Sequence, residues 1–189
     1  MSRWLYMQKE TPWMELLSDL PQEALEALAG LLTLQAGGIT PRRGFEVARG
    51  FEGKVAHMPQ RATPGSGGYD FWPLEEVTLL PGKSHAFFTG IKAFMPMNEI
   101  LLINIRSSYG IKHDLELCNE QGWIDADYYS NQDNDGVIII KVKNAGTGPF
   151  TFRKEEPFAQ GLFVRYHTTH DDSPRLTSRD GGVGHSSSR

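Results

Sequence analysis

Hydrophobic positions change their period once along the chain, and the change divides it. Leu16, Leu17 and Leu20, then Leu25, Leu28, Ala29 and Leu32, recur at helical spacing, which predicts one or two short helices. Ser18 or Asp19 is the candidate cap, Pro21 falls in the first turn and Gly37-Gly38 ends the run. From Phe45 the pattern becomes short apolar and β-branched runs broken by Gly, Pro, Asn and Asp. Phe45 to Ala48, Val55 to Met58, Val77 to Leu80, Ala86 to Met95, Glu99 to Ile105 and Phe158 to Phe163 each predict a strand. The run ending at Val142 follows an acidic, aromatic region and reads as a buried strand entered from a tight hairpin that contains Asp125. The expected organisation is a helical extension and linker over 1–44, a mainly β domain over 45–176 and a glycine-rich arm over 177–189.

Composition narrows this further. A chain of 189 residues suits one domain with a full core, and 20 Gly with 11 Pro favour many short strands joined by turns. A net charge of −4 speaks against a broad nucleic-acid-binding face. Cys118 is the only cysteine, so no intrachain disulfide forms and a reducing, cytoplasmic setting fits. The apolar run from Ala27 to Leu34 is too short to span a bilayer and follows Glu23 and Glu26, not a basic segment. Neither a signal peptide nor a membrane span is expected. The leucine-rich extension either packs on its own domain or serves as a partner-binding or oligomer-forming appendage.

Several clusters could carry chemistry. Trp123, Ile124, Tyr128 and Tyr129 offer apolar surface that could exclude water around Asp125 and make it a general base; otherwise the aspartate caps its own turn. Gly65 to Gly68 would let backbone approach another surface closely before Tyr69 and Asp70 enter a strand. Arg106, Ser107 and Ser108 with Gly110 combine a guanidinium fork, two hydroxyls and free backbone N–H groups, which suits phosphate oxygens. The bland alternative is an arginine paired to a nearby carboxylate, with the serines satisfying a turn. Gln160 interrupts an apolar strand and needs partners for both ends of its amide. His167, His170, Asp171 and Asp172 read as a solvated strand exit and not as a metal site. Arg179 with the glycines after it forms a tail too polar to fold alone.

Five elements in this order, G-S-G-G-Y-D, R-S-S, G-W-I-D-A-D-Y, A-Q-G-L-F and R-D-G-G-V-G-H-S-S, resemble the five motifs of the trimeric dUTP pyrophosphatases, over roughly residues 45 to 189. The resemblance implies a jelly-roll-like β fold, a homotrimer, and three sites each assembled from three chains. It implies that Asp125 deprotonates the water attacking the α-phosphorus of dUTP, with Asp70 supporting the centre. Asn119 would pair with uracil, and Tyr128 would lie against the deoxyribose and exclude a 2′-hydroxyl. Arg106, Ser107, Ser108 and Gln160 would hold phosphate oxygens. Arg179, Gly182 and Val183 would belong to the closing arm, and Mg²⁺ would arrive on the triphosphate, mostly without direct protein ligands. Two features depart from the family: Val183 stands where an aromatic usually stacks on uracil, with His185 nearby, and S-N-Q-D-N-D-G is longer than the usual turn. A dCTP deaminase of the same superfamily is the nearest rival, but it needs a glutamate where Lys141 stands. A nucleotide-sensing regulatory protein using residues 1–44 as its contact surface is the other.

Overall fold

The computed structural model describes residues 20–26, 42–174 and 181. The chain divides into two units, Met1–Thr40 and Pro41–Arg189. In the first, residues 22–26 are helical. The Pro21 carbonyl accepts the N–H groups of Ala24 and Leu25 at 2.9 and 3.1 Å, so Pro21 precedes the helix and does not stand inside its first turn. The predicted cap at Ser18 or Asp19, the leucines beyond residue 26 and the Gly37-Gly38 stop lie outside the described residues.

The second unit is mainly β, as the sequence predicts. In chain order it runs β1 Gly44–Val47, β2 Gln60–Arg61, β3 Tyr69–Phe71, β4 Val77–Leu79, β5 Ser84–Phe88, β6 Ile91–Phe94 and β7 Glu99–Ile105. A short helix α1, Ser107–His113, then leads to β8 Leu115–Leu117 and β9 Gly122–Asp125. After a 3₁₀ turn, Ala126–Tyr128, come β10 Ile139–Asn144, β11 Phe150–Phe152 and β12 Ala159–Arg165. The strands form antiparallel sheets in the orders β1-β6, β5-β10-β8, β11-β4 and β2-β3-β12-β7-β9.

Strand alternation decides what each sheet buries. Along β7, Leu101 and Ile103 turn into the core while Leu102 and Asn104 take the other face. The core is aromatic where the sheets meet: Phe87, Phe152 and Phe158 lie with ring centroids 4.7 to 5.8 Å apart. Each fully buried ring contributes roughly 1.5–3 kcal/mol. Tyr109 of α1 is 7% exposed and stacks on Phe152 at 5.9 Å, which ties the helix to β11.

Four local expectations are corrected. Val55 to Met58 forms no ladder; the strand there is β2, which starts after Pro59, a residue with no N–H to donate. Ala86 to Met95 is two strands, divided at Thr89, whose hydroxyl donates to the Ile138 carbonyl at 2.9 Å. The residues after Arg106 are helical and not a turn. Most consequentially, β10 does not close a hairpin on β9: it pairs with β5 and β8, while β9 pairs with β7.

Glu99 begins β7 almost fully buried, and Arg43 grips it through two hydrogen bonds of 2.6 Å, with Arg165 at 3.8 Å. The Arg43 hydrogen bonds hold the Glu99 carboxyl below its ordinary value against the opposing effect of burial. A lowered carboxylate pKa stabilises the fold above the ordinary glutamate range, and that contribution is lost as pH falls through the lowered value. Arg43→Ala is therefore expected to lower the melting temperature at pH 7, with the gap to wild type narrowing as the scans are repeated in acid below the glutamate range. A gap independent of pH would mean that the arginine acts through packing alone.

Candidate functional site

One group of predicted residues gathers at the end of β7. Register sets Gln160 of β12 between Asp70 of β3 and Asn104 of β7. Arg106 leaves β7 with its N–H bonded to the Phe158 carbonyl at 3.0 Å. Its Nε lies 3.4 Å from Oδ1 of Asp70, and its Nη1 donates to the Pro157 carbonyl at 3.1 Å. A guanidinium has five N–H donors, so these contacts aim the group and leave other donors for a ligand. Burial pushes the Asp70 carboxyl above its ordinary value while Arg106 pulls it down. Ser107 and Ser108 stand exposed in the first turn of α1. The arginine–carboxylate pairing anticipated as a bland alternative is present, and it fixes the guanidinium. Gly68 has a defined reason here: a Cβ on it would meet Gln160 Oε1 at 2.9 Å, so only glycine leaves the amide its place.

The second group lies on β9 and the turn before it. Asn119 is exposed in the turn over residues 118–121. Glu120 adopts a φ of 62° there, and its N–H bonds the Leu117 carbonyl at 3.1 Å. Gln121 Nε2 donates to Asn104 Oδ1 at 2.9 Å, docking the turn at the end of β7 from which Arg106 departs. From there β9 runs the other way, so Asp125 pairs with Ile100 near the far end of β7. Arg106 stands six positions beyond Ile100, a span of roughly 20 Å at strand rise. The turn that carries Asn119 thus lies at the Arg106 end of β7, and Asp125 lies toward the other end.

The expected apolar enclosure of Asp125 by its neighbours is not what one chain provides. Alternation sends Ile124 toward the core, and Trp123, on the face of Asp125, is 66% exposed. Tyr129 is drawn off by Glu46, to which its hydroxyl donates at 2.6 Å, and by Lys92, whose Nζ sits 4.9 Å from the ring centroid. Asp125 itself is exposed. Tyr128 is 7% exposed, and its hydroxyl donates to the Val137 carbonyl at 2.9 Å.

Sequence reasoning marked S-N-Q-D-N-D-G by its length alone and not the roles of the residues that shape the connection from Tyr129 to Gly136. Asn131 is 5% exposed; its Nδ2 donates to the Tyr128 carbonyl, and its Oδ1 accepts from the N–H groups of Asp133 and Asn134. Asp135 binds Lys92 Nζ at 3.0 Å and the Arg49 N–H at 2.8 Å. The Arg49 N–H, joined by Lys92 and opposed by burial, holds its carboxyl below the ordinary value. The density of Asn, Asp and Gly in this stretch was the available signal, since such side chains build turns by bonding their own backbone. Lys92, alone among Ile91, Ala93 and Phe94, gave none.

Arg179, Gly182, Val183 and His185 lie outside the described residues. Among the described residues no group of three His, Cys, Asp or Glu side chains could hold a metal ion, and no helix is long and apolar enough to cross a membrane. A cavity of about 160 Å³ lined by His57, Trp72, Thr89 and Ile91 contains none of the predicted site residues.

Comparison with known proteins agrees with these motifs. The family model described as dUTPase matches residues 54–187. The deoxyuridine 5'-triphosphate nucleotidohydrolase of Lactococcus lactis is 36% identical over 143 residues, 75% of this chain and 95% of that protein. The crystal structure of dUTPase from Streptococcus mutans superposes with a TM-score of 0.61 at 32% identity, covering 67% of this chain and 98% of that one. A mutant dUTPase from phage phi11 of S. aureus, whose structure details the coordination of a structural Mg(II) ion, shares the fold at 20% identity with a TM-score of 0.58, covering 72% and 98%.

Proposed function

The chain belongs to the dUTPase family and is a dUTP diphosphatase of jelly-roll-like β fold, and from that premise we propose how its residues divide the work. Asp125 orients a water and takes its proton as the oxygen attacks the α-phosphorus; pyrophosphate leaves and dUMP remains. Asn119 and the backbone of its turn pair with the uracil edge and leave no room for a thymine methyl. The Tyr128 ring lies against the deoxyribose. Arg106, Ser107, Ser108 and Gln160 hold phosphate oxygens, and Asp70 aims Arg106. Arg179, Gly182 and Val183 act from the C-terminal arm. The donors around Arg106 are cationic or neutral, which fits a Mg²⁺ ion that arrives on the triphosphate and neutralises its charge. Such transfer needs positioning and charge neutralisation more than covalent chemistry.

The order of groups along the sheet carries a further conclusion. A nucleotide presents base, sugar and phosphates in that sequence, so its ligands should run Asn119, Asp125, Arg106. One chain offers Arg106 at the base end, about 20 Å from Asp125 at strand rise. The site is therefore assembled between copies, in the homotrimer that the family resemblance implies, and a neighbour's Arg106 serves this chain's Asp125. Lys141 is exposed on β10, where deamination would need a glutamate, so hydrolysis is the reading retained. The lone Cys118, which is exposed, supports a reducing, cytoplasmic setting. Residues 1–44 lie outside the matched family region; Arg43 and Gly44 serve the β unit, and the stretch before them is assigned to contacts with a protein partner.

Pyrophosphate release from dUTP, dCTP, dTTP and UTP tests the whole assignment, with dUTP expected to lead. In the same assay Tyr128→Ala is expected to raise UTP hydrolysis relative to dUTP. An unchanged ratio would assign sugar selection to backbone contacts.

A further inference from the structure

The eight residues between Tyr128 and Val137 form a cradle whose central guest is the Tyr128 hydroxyl. That hydroxyl donates to the Val137 carbonyl and accepts from Asn134 Nδ2 at 2.7 Å. Asn134 is itself fixed from three sides. Its Oδ1 accepts from Asn131 Nδ2 at 2.9 Å and from the Gly136 N–H at 3.1 Å, and its carbonyl accepts the Val137 N–H at 3.1 Å. The cradle closes through Gly136, at φ 80°, where a Cβ would meet the Tyr128 carbonyl oxygen at 2.7 Å. Asp135 bolts it to β6 and to the segment after β1 through Lys92 and Arg49. A tyrosine held only by ring packing can slide or tilt; one whose hydroxyl is bonded on both sides has its ring edge set.

We propose that Asn134 is a positioning residue for sugar selection, which acts by holding the Tyr128 hydroxyl so that the ring edge stays where a 2′-hydroxyl would have to go. The inference rests on the reading that Tyr128 lies against the deoxyribose. Uracil, deoxyribose and phosphate contacts remain with the residues already assigned; Asn134 touches none of them. Its influence is confined to the difference between a deoxyribose and a ribose. The Asn131 amide, which bonds both the Tyr128 carbonyl and Asn134, builds the turn that makes this contact possible.

Asn134→Asp isolates the contact. A carboxylate keeps the acceptor for Asn131 Nδ2 and the Gly136 N–H and replaces the N–H offered to the hydroxyl by a second acceptor, so the single hydroxyl proton can serve either Val137 or residue 134 and one of its two bonds is lost. Tyr128→Phe removes both hydroxyl bonds, to Asn134 and to the Val137 carbonyl, and covers the case in which the aspartate variant does not fold. Each is compared with wild type and Tyr128→Ala in the full-length enzyme for kcat/KM on dUTP and UTP, with melting temperatures alongside. The expected result is a dUTP-over-UTP preference reduced roughly threefold to tenfold in both variants, the scale of one lost hydrogen bond. It should arise mainly from a lower KM for UTP, with kcat on dUTP changed less. A purely structural loss would lower both nucleotides in parallel and leave the ratio where it was. If Tyr128→Ala relaxes the preference but Asn134→Asp and Tyr128→Phe do not, the cradle has no part in selection and the proposal is overturned. If Tyr128→Ala also leaves it unchanged, the reading of Tyr128 fails first, and the proposal with it.

Discussion

Asp125→Asn is expected to leave dUTP binding near that of wild type and to lower turnover roughly 10²-fold or more, the scale of a removed general base. The amide has the shape of the carboxylate and lacks its capacity to accept the proton of the attacking water. Little else should change. Asp125 is exposed at the end of β9, and its register with Ile100 is a backbone matter, so the substitution leaves an outward surface and not a core position. Surface changes of that kind usually stay within about 0.5 kcal/mol of wild type. Three measurements separate the outcomes: equilibrium binding of dUTP, pyrophosphate release at saturating substrate, and thermal melting. Loss of turnover with binding and melting kept identifies the base. Near-normal turnover would sink the assignment, and joint loss of all three would point to misfolding.

Strands that stand in the sequence as one bounded apolar run were legible from the chain alone. Glu99–Ile105 matches its predicted run residue for residue, and β12 follows closely, because period-2 burial leaves one register that keeps Leu101 and Ile103 inside. The pairing of β10 was not legible. Its apolar run reads as a buried strand in any sheet, and nothing local says that its partners are β5 and β8 and not β9. What redirects it is the cradle after Tyr128, where Asn131, Asn134 and Asp135 spend eight residues bonding one another and Lys92. Val55 to Met58 failed for the opposite reason: Val55 packs against the core, yet burial without a ladder partner is not a strand. The candidate site was legible as residue types, since Arg106, Asp70 and Gln160 do converge. Its incompleteness within one chain was an expectation of the family resemblance alone; which end of β7 receives Arg106 and which receives Asp125 was not legible, because it follows from antiparallel pairing that spacing cannot reveal.

That incompleteness makes a strong prediction about mixtures of inactive proteins. Arg106→Gln should be nearly inactive by itself, since phosphate neutralisation is lost while the amide can still meet Asp70, which is only 7% exposed. Asp125→Asn is inactive for the separate reason given above. If each site takes Asp125 from one chain and Arg106 from a neighbour, the two variants repair each other in mixed trimers. A site is intact when the first chain is the Arg106 variant and the second the Asp125 variant. With equal amounts and random assembly this holds for about one quarter of sites. Activity should then rise from roughly a hundredth of wild type to about a quarter, a gain near 25-fold. The variants are coexpressed with different affinity tags and purified through both, so that only mixed assemblies are assayed. Double selection removes unmixed trimers and can only raise the expected fraction. The alternative has an equally plain signature. If all the ligands belonged to one chain, every site in the mixture would still lack either Asp125 or Arg106, and doubly purified assemblies would be as inactive as their parents. That result would require the roughly 20 Å along β7, at strand rise, to be bridged within a single chain, and it would overturn the shared site.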